Sequence, residues 1–351
     1  MATPTDRERT DPVVSGLDRG LQRRFDAALA DGSLADLHGV VVVRDGRLVH
    51  EWYGSGEDFK WNESLGEIAF DADDLHDIRS VSKSVTSLLY GIALVAGLVP
   101  GPDEPILHRF PEYADLGADP LRARLTVEHA LTMTLGLEWH EDLPYTSTAN
   151  SEIAMEFAPD RYRYILERPI AEEPGQTWHY CGGATALLGR LIADGSRATL
   201  PEFARDRLFG PLGIERFEWM TGPDGVASPA SGLRLRPRDL ARIGQLVLDC
   251  GRWADRQVVP ADWLETALRP HVTIGEGFDY GYQWYLGSFA YPDAGSGREP
   301  WFGGIGNGGQ RLFVVPRLGL VTTIASGAYN AENQSAIPAE IMEMVHASVL
   351  S

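Results

Sequence analysis

Apolar residues recur along this chain with two different periods. Leu17, Leu21, Phe25 and Leu29 fall every fourth position, the stripe of an amphipathic helix. Val40 to Val43 form a continuous apolar run, and Leu48 to Tyr53 return after Asp45-Gly46, a pair suited to the tight turn of a β-hairpin. Asp77-Ile78 leads into a long helical pattern from Val81 to Ala96. From Pro100 to about Leu268 the pattern is helical with long loops. Thr126 is placed to cap a helix over Val127 to Met133. Further helices are expected over Ala184 to Ala193 and over Pro237 to Asp249, and another from Pro260. After Gly277 strand patterns resume over Tyr282 to Leu286, Arg311 to Val315 and Leu320 to Ala325, and Pro338 to Val349 closes the chain as a helix.

Sheet-forming ends thus bracket a helical middle. The expected organisation is a loose polar tail at 1–13, an α/β domain built from 14–99 and 270–351, and a mostly helical domain at 100–269 with the active site between the two. The chain of 351 residues is long enough for this.

Charge narrows the partners. A formal net charge of −19 is the opposite of what a nucleic-acid binder needs, and an anionic membrane surface repels it. The expectation is no nucleic acid and no membrane, with the oligomeric state open. The opening MATPTDRERTDPVV holds no apolar signal-peptide core, and the longest apolar stretch, ending at Pro100, is too short to span a bilayer. With only Cys181 and Cys250, two reduced thiols fit a cytoplasmic protein.

Three stretches carry chemistry. Ser80-Val81-Ser82-Lys83 opens a helix, and residues three apart share a helical face, so Lys83 can reach the Ser80 hydroxyl. A serine needs such a base to become a nucleophile, and the helix start adds N–H groups suited to an oxyanion. Tyr180 follows the turn at Pro174-Gly175 and precedes a helix. A phenol beside cationic Lys83 is expected to have a lowered pKa and to shuttle protons. The glycine-rich Gly303 to Gln310, read as a loop entering a strand, lets backbone approach a ligand closely. Trp139, His140, Glu141, Asp142 and Tyr145 are candidates for the cleft wall, as are Trp178, Tyr282, Trp284 and Trp301. The nine histidines show no metal-ligand spacing, so no metal and no cofactor is expected.

Taken together, these stretches resemble the β-lactamase-related serine hydrolases: class C β-lactamases, DD-peptidases, esterases and 6-aminohexanoate-dimer hydrolases. The family order is S-x-x-K, Y-x-N, then K-T-G or a variant. Ser80 and Lys83 fit, Tyr180 fits with Gly182 standing where asparagine is common, and Asn307-Gly308-Gly309 stands where K-T-G is expected. The resemblance covers roughly residues 38 to 345. It implies an α+β, β-lactamase/transpeptidase-like fold, with an antiparallel sheet flanked by helices plus a helical domain. It implies an acyl-enzyme on Ser80, proton handling by Lys83 and Tyr180 with the acylation base left open, and an oxyanion hole from the backbone N–H groups of Ser80 and Gln310. Asn307, Gly308, Gly309, Gly182, Trp139 and Tyr145 are the expected substrate-binding positions. The expected function is hydrolysis of small esters or amides. The alternatives are a β-lactamase or DD-peptidase, and a catalytically idle ligand-binding relative.

Overall fold

The computed structural model describes residues 10–275, 277–290 and 298–349. Of the expected tail, residues 1–9 lie outside that range. Thr10 is not loose: its N–H donates to Leu48 O, and Pro12–Ser15 form a single 3-10 turn.

Helix α1 (Gly20–Asp31) buries Leu21 and Phe25 and ends at Gly32 in the left-handed region. Strands β1 (Leu37–Arg44) and β2 (Arg47–Tyr53) meet at Asp45-Gly46, whose φ values of 49° and 71° are those of a hairpin turn matched to strand twist. A second hairpin, β3 (Ser55–Lys60) and β4 (Glu63–Ala69), was not expected. β4 is almost wholly exposed and carries no apolar alternation to announce it. The short β5 (His76–Asp77) then leads into α2 (Val81–Val95).

The middle of the chain supplies α3 (Val127–Leu131), α4 (Ser151–Glu156), α5 (Arg161–Glu167), α6 (Gly182–Ser196) and α7 (Leu200–Ala204). Strands β6 (Glu218–Trp219) and β7 (Leu233–Leu235) pair beside β5. Helix α8 (Pro237–Leu248), the small hairpin β8 (Arg252–Trp253) with β9 (Arg256–Gln257), and α9 (Ala261–Ala267) follow. The return to sheet comprises β10 (Val272–Gly275), β11 (Phe278–Tyr280), β12 (Tyr285–Ala290), β13 (Arg298–Gly306), β14 (Gln310–Val315) and β15 (Leu320–Ser326), and α10 (Ala336–His346) closes the fold.

The main sheet has eight antiparallel strands in the order β10-β11-β12-β13-β14-β15-β1-β2. The two ends of the chain meet where β1 pairs β15. β1 is buried on both faces, which is why it reads as an apolar run instead of an alternation. One face packs against α1 and α10, through Leu21, Phe25, Ile341 and Val345. The other packs against α2 and α8. Helix α8 lies in the segment expected to form the helical domain, yet it rests on the sheet. A Cβ on its Gly244 would stand 2.5 Å from Val321.

The glycine run also differs from expectation. Gly303, Gly304 and Gly306 are strand residues of β13, and only Asn307-Gly308-Gly309 form the turn. The reason is α2, which crosses β13. A Cβ at Gly304 would sit 2.7 Å from Val81 and one at Gly306 would sit 2.7 Å from Ile78 O. These glycines let the start of α2 lie directly on the strand.

Candidate active site

Ser80 stands at the N-cap of α2, and the preceding Arg79 is left-handed, with φ 48°. A non-glycine residue there is uncommon, and it turns the chain sharply from β5 into the helix. Two ties hold the turn. Arg79 donates to Trp61 O at 2.6 Å and lies 3.3 Å from Asp77. The three serines of this segment then separate by role. Ser82 Oγ donates to Arg79 O and accepts from Leu233 N–H, and Ser84 Oγ donates to Gln283 O. Ser80 faces the cleft, and its Oγ accepts from Lys83 Nζ at 3.1 Å. Lys83 also donates to Ala230 O at 3.2 Å and lies over the Tyr180 ring, 4.6 Å from its centre.

Tyr180 comes from the turn before α6, with its ring beneath Lys83 Nζ and on the wall of the cleft that Ser80 faces. Its expected lowered pKa is reversed. Burial, followed by the charge of Glu141, pushes the phenol well above its ordinary value. Tyr180 is therefore a neutral phenol at rest.

The two carboxyl groups beside Lys83 are the larger surprise. Glu141 Oε1 lies 3.8 Å and Glu152 Oε2 3.9 Å from Lys83 Nζ, and both side chains are buried. Glu141 accepts from Trp139 Nε1 at 2.7 Å, from Gly182 N–H at 2.6 Å and from Tyr145 at 3.1 Å. Glu152 accepts from Ser231 at 2.6 Å. Burial and the neighbouring Glu152 push Glu141 well above the carboxylate range. Glu152 is buried too, which by itself would raise it, but the charge of Lys83 and the bond from Ser231 hold it below. Gly182 is what makes room: a Cβ there would lie 2.8 Å from Glu152 Oε2 and 3.2 Å from Glu141 Oε2.

Two hollows meet at Ser80, Tyr145 and Asn307. One, about 250 Å³, is lined by Trp61, Ile153, Phe157 and Met220, with Glu152 and Glu156 on its wall. The other, about 580 Å³ and more open, is bounded by Tyr180, Tyr285, Ile305 and Arg311. Asn307 lines both, but its side chain is engaged with Asn330 at 3.1 and 3.0 Å. The Arg311 guanidinium is committed to Gly306 O, Gln310 O and Ser335.

Several expected positions lie elsewhere. The Gln310 side chain lines a small buried space with His76 and Ile78 and donates to Ser326 O at 2.6 Å, while its backbone starts β14 opposite Gly306. β13 and β14 pair across the turn, so the residues beside Ser80 are Ile305, Gly306 and Asn307. Gly308 and Gly309 are buried in the turn, with Gly308 N–H held by Gln334. Trp139 is beneath the cleft, positioning Glu141, and Tyr282, Trp284 and Trp301 are core residues. Glu152, Glu156 and Trp61 went unseen in the sequence. The available signal was Asn150, whose side chain accepts from the N–H groups of Glu152 and Ile153 and starts α4 against the site. Cys181 and Cys250 are unpaired, and among the described residues no helix is long and apolar enough to cross a membrane.

Comparison with known proteins bears on the family and the fold. The Beta-lactamase family profile matches residues 21–340. The chain belongs to the beta-lactamase family. Within it, the chain is 25% identical over 338 residues to a 6-aminohexanoate-dimer hydrolase of Paenarthrobacter ureafaciens, covering 90% of this chain and 77% of the relative. Its fold is shared with EstCE1, a hydrolase with promiscuous acyltransferase activity (TM-score 0.74, 15% identity, 95% of this chain and 100% of that one). It is shared as well with a penicillin-binding protein homologue from Caulobacter crescentus (TM-score 0.69, 18% identity, 97% and 99%). As a beta-lactamase-family serine hydrolase, the chain has the antiparallel sheet, flanking helices and α+β architecture of that fold.

Proposed function

We propose that this protein hydrolyses small esters or amides through an acyl-enzyme on Ser80. The observation that carries the reading is Lys83 Nζ, 3.1 Å from Ser80 Oγ and 4.6 Å from the centre of the Tyr180 ring, with the serine at the junction of two hollows. Ser80 Oγ adds to the substrate carbonyl as its proton passes to Lys83 acting as the unprotonated amine, directly or by way of the Tyr180 hydroxyl, which hands its own proton to Lys83 as it takes the serine's. The pair returns a proton to the departing alcohol or amine, then takes one from the water that attacks the acyl-enzyme. Tyr180, neutral at rest, serves as a proton relay and donor.

The proposed oxyanion donors are the backbone N–H groups of Ser80 and of Asn307, preferred to Gln310 because Asn307 borders both hollows beside Ser80. The apolar 250 Å³ hollow suits a short acyl chain, and the wider one suits the leaving group and water. The similar 6-aminohexanoate-dimer hydrolase and EstCE1 support an amide- or ester-cleaving reading.

A β-lactam is a poorer fit. The Asn307 side chain is neutral and paired, Arg311 is already committed, and Gly182 offers no amide. The glutamate charge beside Lys83 adds repulsion toward an anionic substrate. The test is kcat/KM for a short-chain nitrophenyl ester beside that for a chromogenic cephalosporin on one preparation. The ester should be turned over much faster, and a faster cephalosporin replaces this reading with a β-lactamase.

A further inference from the structure

Behind the nucleophile turn lies a second group of chemistry-bearing side chains that hydrolysis does not use. His38 of β1, Asp58 of β3 and His76 of β5 converge in the interior with their donor atoms within 4.8 Å of one another. None is more than 2% exposed. His38 Nδ1 lies 2.9 Å from His76 Nε2, which lies 3.6 Å from Asp58 Oδ1. The Tyr329 hydroxyl, from the segment after β15, stands 3.1 Å from Asp58 Oδ1 and 3.5 Å from His76 Nε2. Four donors around a cation at tetrahedral zinc distances are separated by about 3.3–3.4 Å. The four measured separations bracket that value, and the His38 and Asp58 donors, within 4.8 Å of each other, would draw together on binding.

The surroundings orient the same atoms inward. His76 Nδ1 donates to Asp77 O at 3.0 Å, which fixes its tautomer and leaves the Nε2 lone pair facing the cluster. Arg234 donates to Asp58 Oδ2 at 3.1 Å, leaving Oδ1 for the cluster. Two glycines make space for the His38 ring: a Cβ at Gly56 or Gly327 would lie 2.5 or 2.4 Å from its Nε2.

We propose that His38, His76 and Asp58, with the Tyr329 hydroxyl at the fourth corner, form a structural site for a divalent transition cation of the zinc type. Two imidazoles and one carboxylate suit Zn²⁺ or Co²⁺ better than the oxygen-seeking Mg²⁺ and Ca²⁺. Binding requires the His38 proton to sit on Nε2, so that Nδ1 offers its lone pair. Four protein donors close the site and leave no position for a substrate, which separates it from catalytic zinc. The cation would tie β1, β3, β5 and the segment after β15 into one unit. That unit abuts the nucleophile: Arg79, the residue before Ser80, lies 4.6 Å above the Tyr329 ring.

The experiment uses the full chain, stripped with a chelator and then titrated with Zn²⁺ and, separately, Co²⁺. Bound metal is counted by elemental analysis, melting is followed, and the visible spectrum of the Co²⁺ form is recorded. The expected result is one tight equivalent, a higher Tm and the intense bands of tetrahedral Co²⁺. His38→Gln should abolish all three, and Tyr329→Phe should weaken binding on the order of 10-fold. If His38→Gln does not fold, the wild-type Co²⁺ spectrum and Tyr329→Phe decide. No saturable equivalent, or an octahedral Co²⁺ spectrum from surface carboxylates, overturns the site and leaves a hydrogen-bonded histidine pair. So does unchanged tight binding in a folded His38→Gln.

Discussion

Replacing Gly182 with asparagine would install the side chain that many proteins of this architecture carry two residues after the tyrosine. Here it should do harm. The new Cβ would stand 2.8 Å from Glu152 Oε2, 2.9 Å from its Cδ and 3.2 Å from Glu141 Oε2. Neither carboxyl can swing away freely. Glu152 is held by Ser231 at 2.6 Å, and Glu141 is held by Trp139 and by the Gly182 N–H itself. Overpacking of this kind costs about 1–3 kcal/mol. At about 2 kcal/mol, a chain of this length should melt roughly 3 °C lower.

Activity should fall further than stability. Lys83 is placed by these carboxyls, and displacing a catalytic group by about 1 Å can cost on the order of 10²-fold. Adding Glu152→Ala to Gly182→Asn removes the clash and puts an amide where the carboxylate was. The double variant should then recover at least about tenfold in ester kcat/KM over Gly182→Asn alone, so the coupling is about 1.4 kcal/mol plus whatever Glu152→Ala costs by itself. The assays are thermal melts and ester kinetics on all four members of the cycle. A Gly182→Asn protein as stable and active as the parent would refute the steric argument. Losses that simply add would refute the claim that Gly182 and Glu152 compete for one space.

Ser80→Ala should abolish ester hydrolysis and leave the melting curve unchanged, and a folded variant with parental rates would sink the mechanism. Lys83→Ala and Tyr180→Phe should each slow acylation by about 10²-fold or more, with a combined loss well short of the product because they share one proton path; stopped-flow acylation of the single and double variants checks this. Glu156, on the wall of the apolar hollow, is pushed by burial from 4.5 to about 7, against the pull of Arg161. The folded state therefore keeps a proton that the unfolded chain releases, so this stabilisation is complete below pH 4.5 and is lost as pH rises through about 7. The loss is about 3 kcal/mol at most. Denaturant titrations across that window should show the decline in the parent and a flatter profile in Glu156→Gln, and parallel profiles would reject the assignment.

What the sequence determined by itself is what local spacing encodes. The Val81–Val95 helix, the Asp45-Gly46 hairpin turn and the Thr126 cap each depend on residues a few positions apart, and each was legible. So was the placement of Lys83 against Ser80, because three residues on a helix fix that distance. Tyr180 was legible through its motif, yet the direction of its pKa was not. Burial and Glu141 set that direction, and both depend on packing. That the Gln310 side chain turns to Ser326 O on β15 was not legible, because the pairing of β14 with its neighbours is a tertiary contact that no local spacing reveals. Glu152, some 70 positions from Ser80, and the cluster of His38, Asp58 and His76 have no motif at all. Only the sheet order and the helices laid on it bring them together, since charged side chains on separate elements meet through three-dimensional closure.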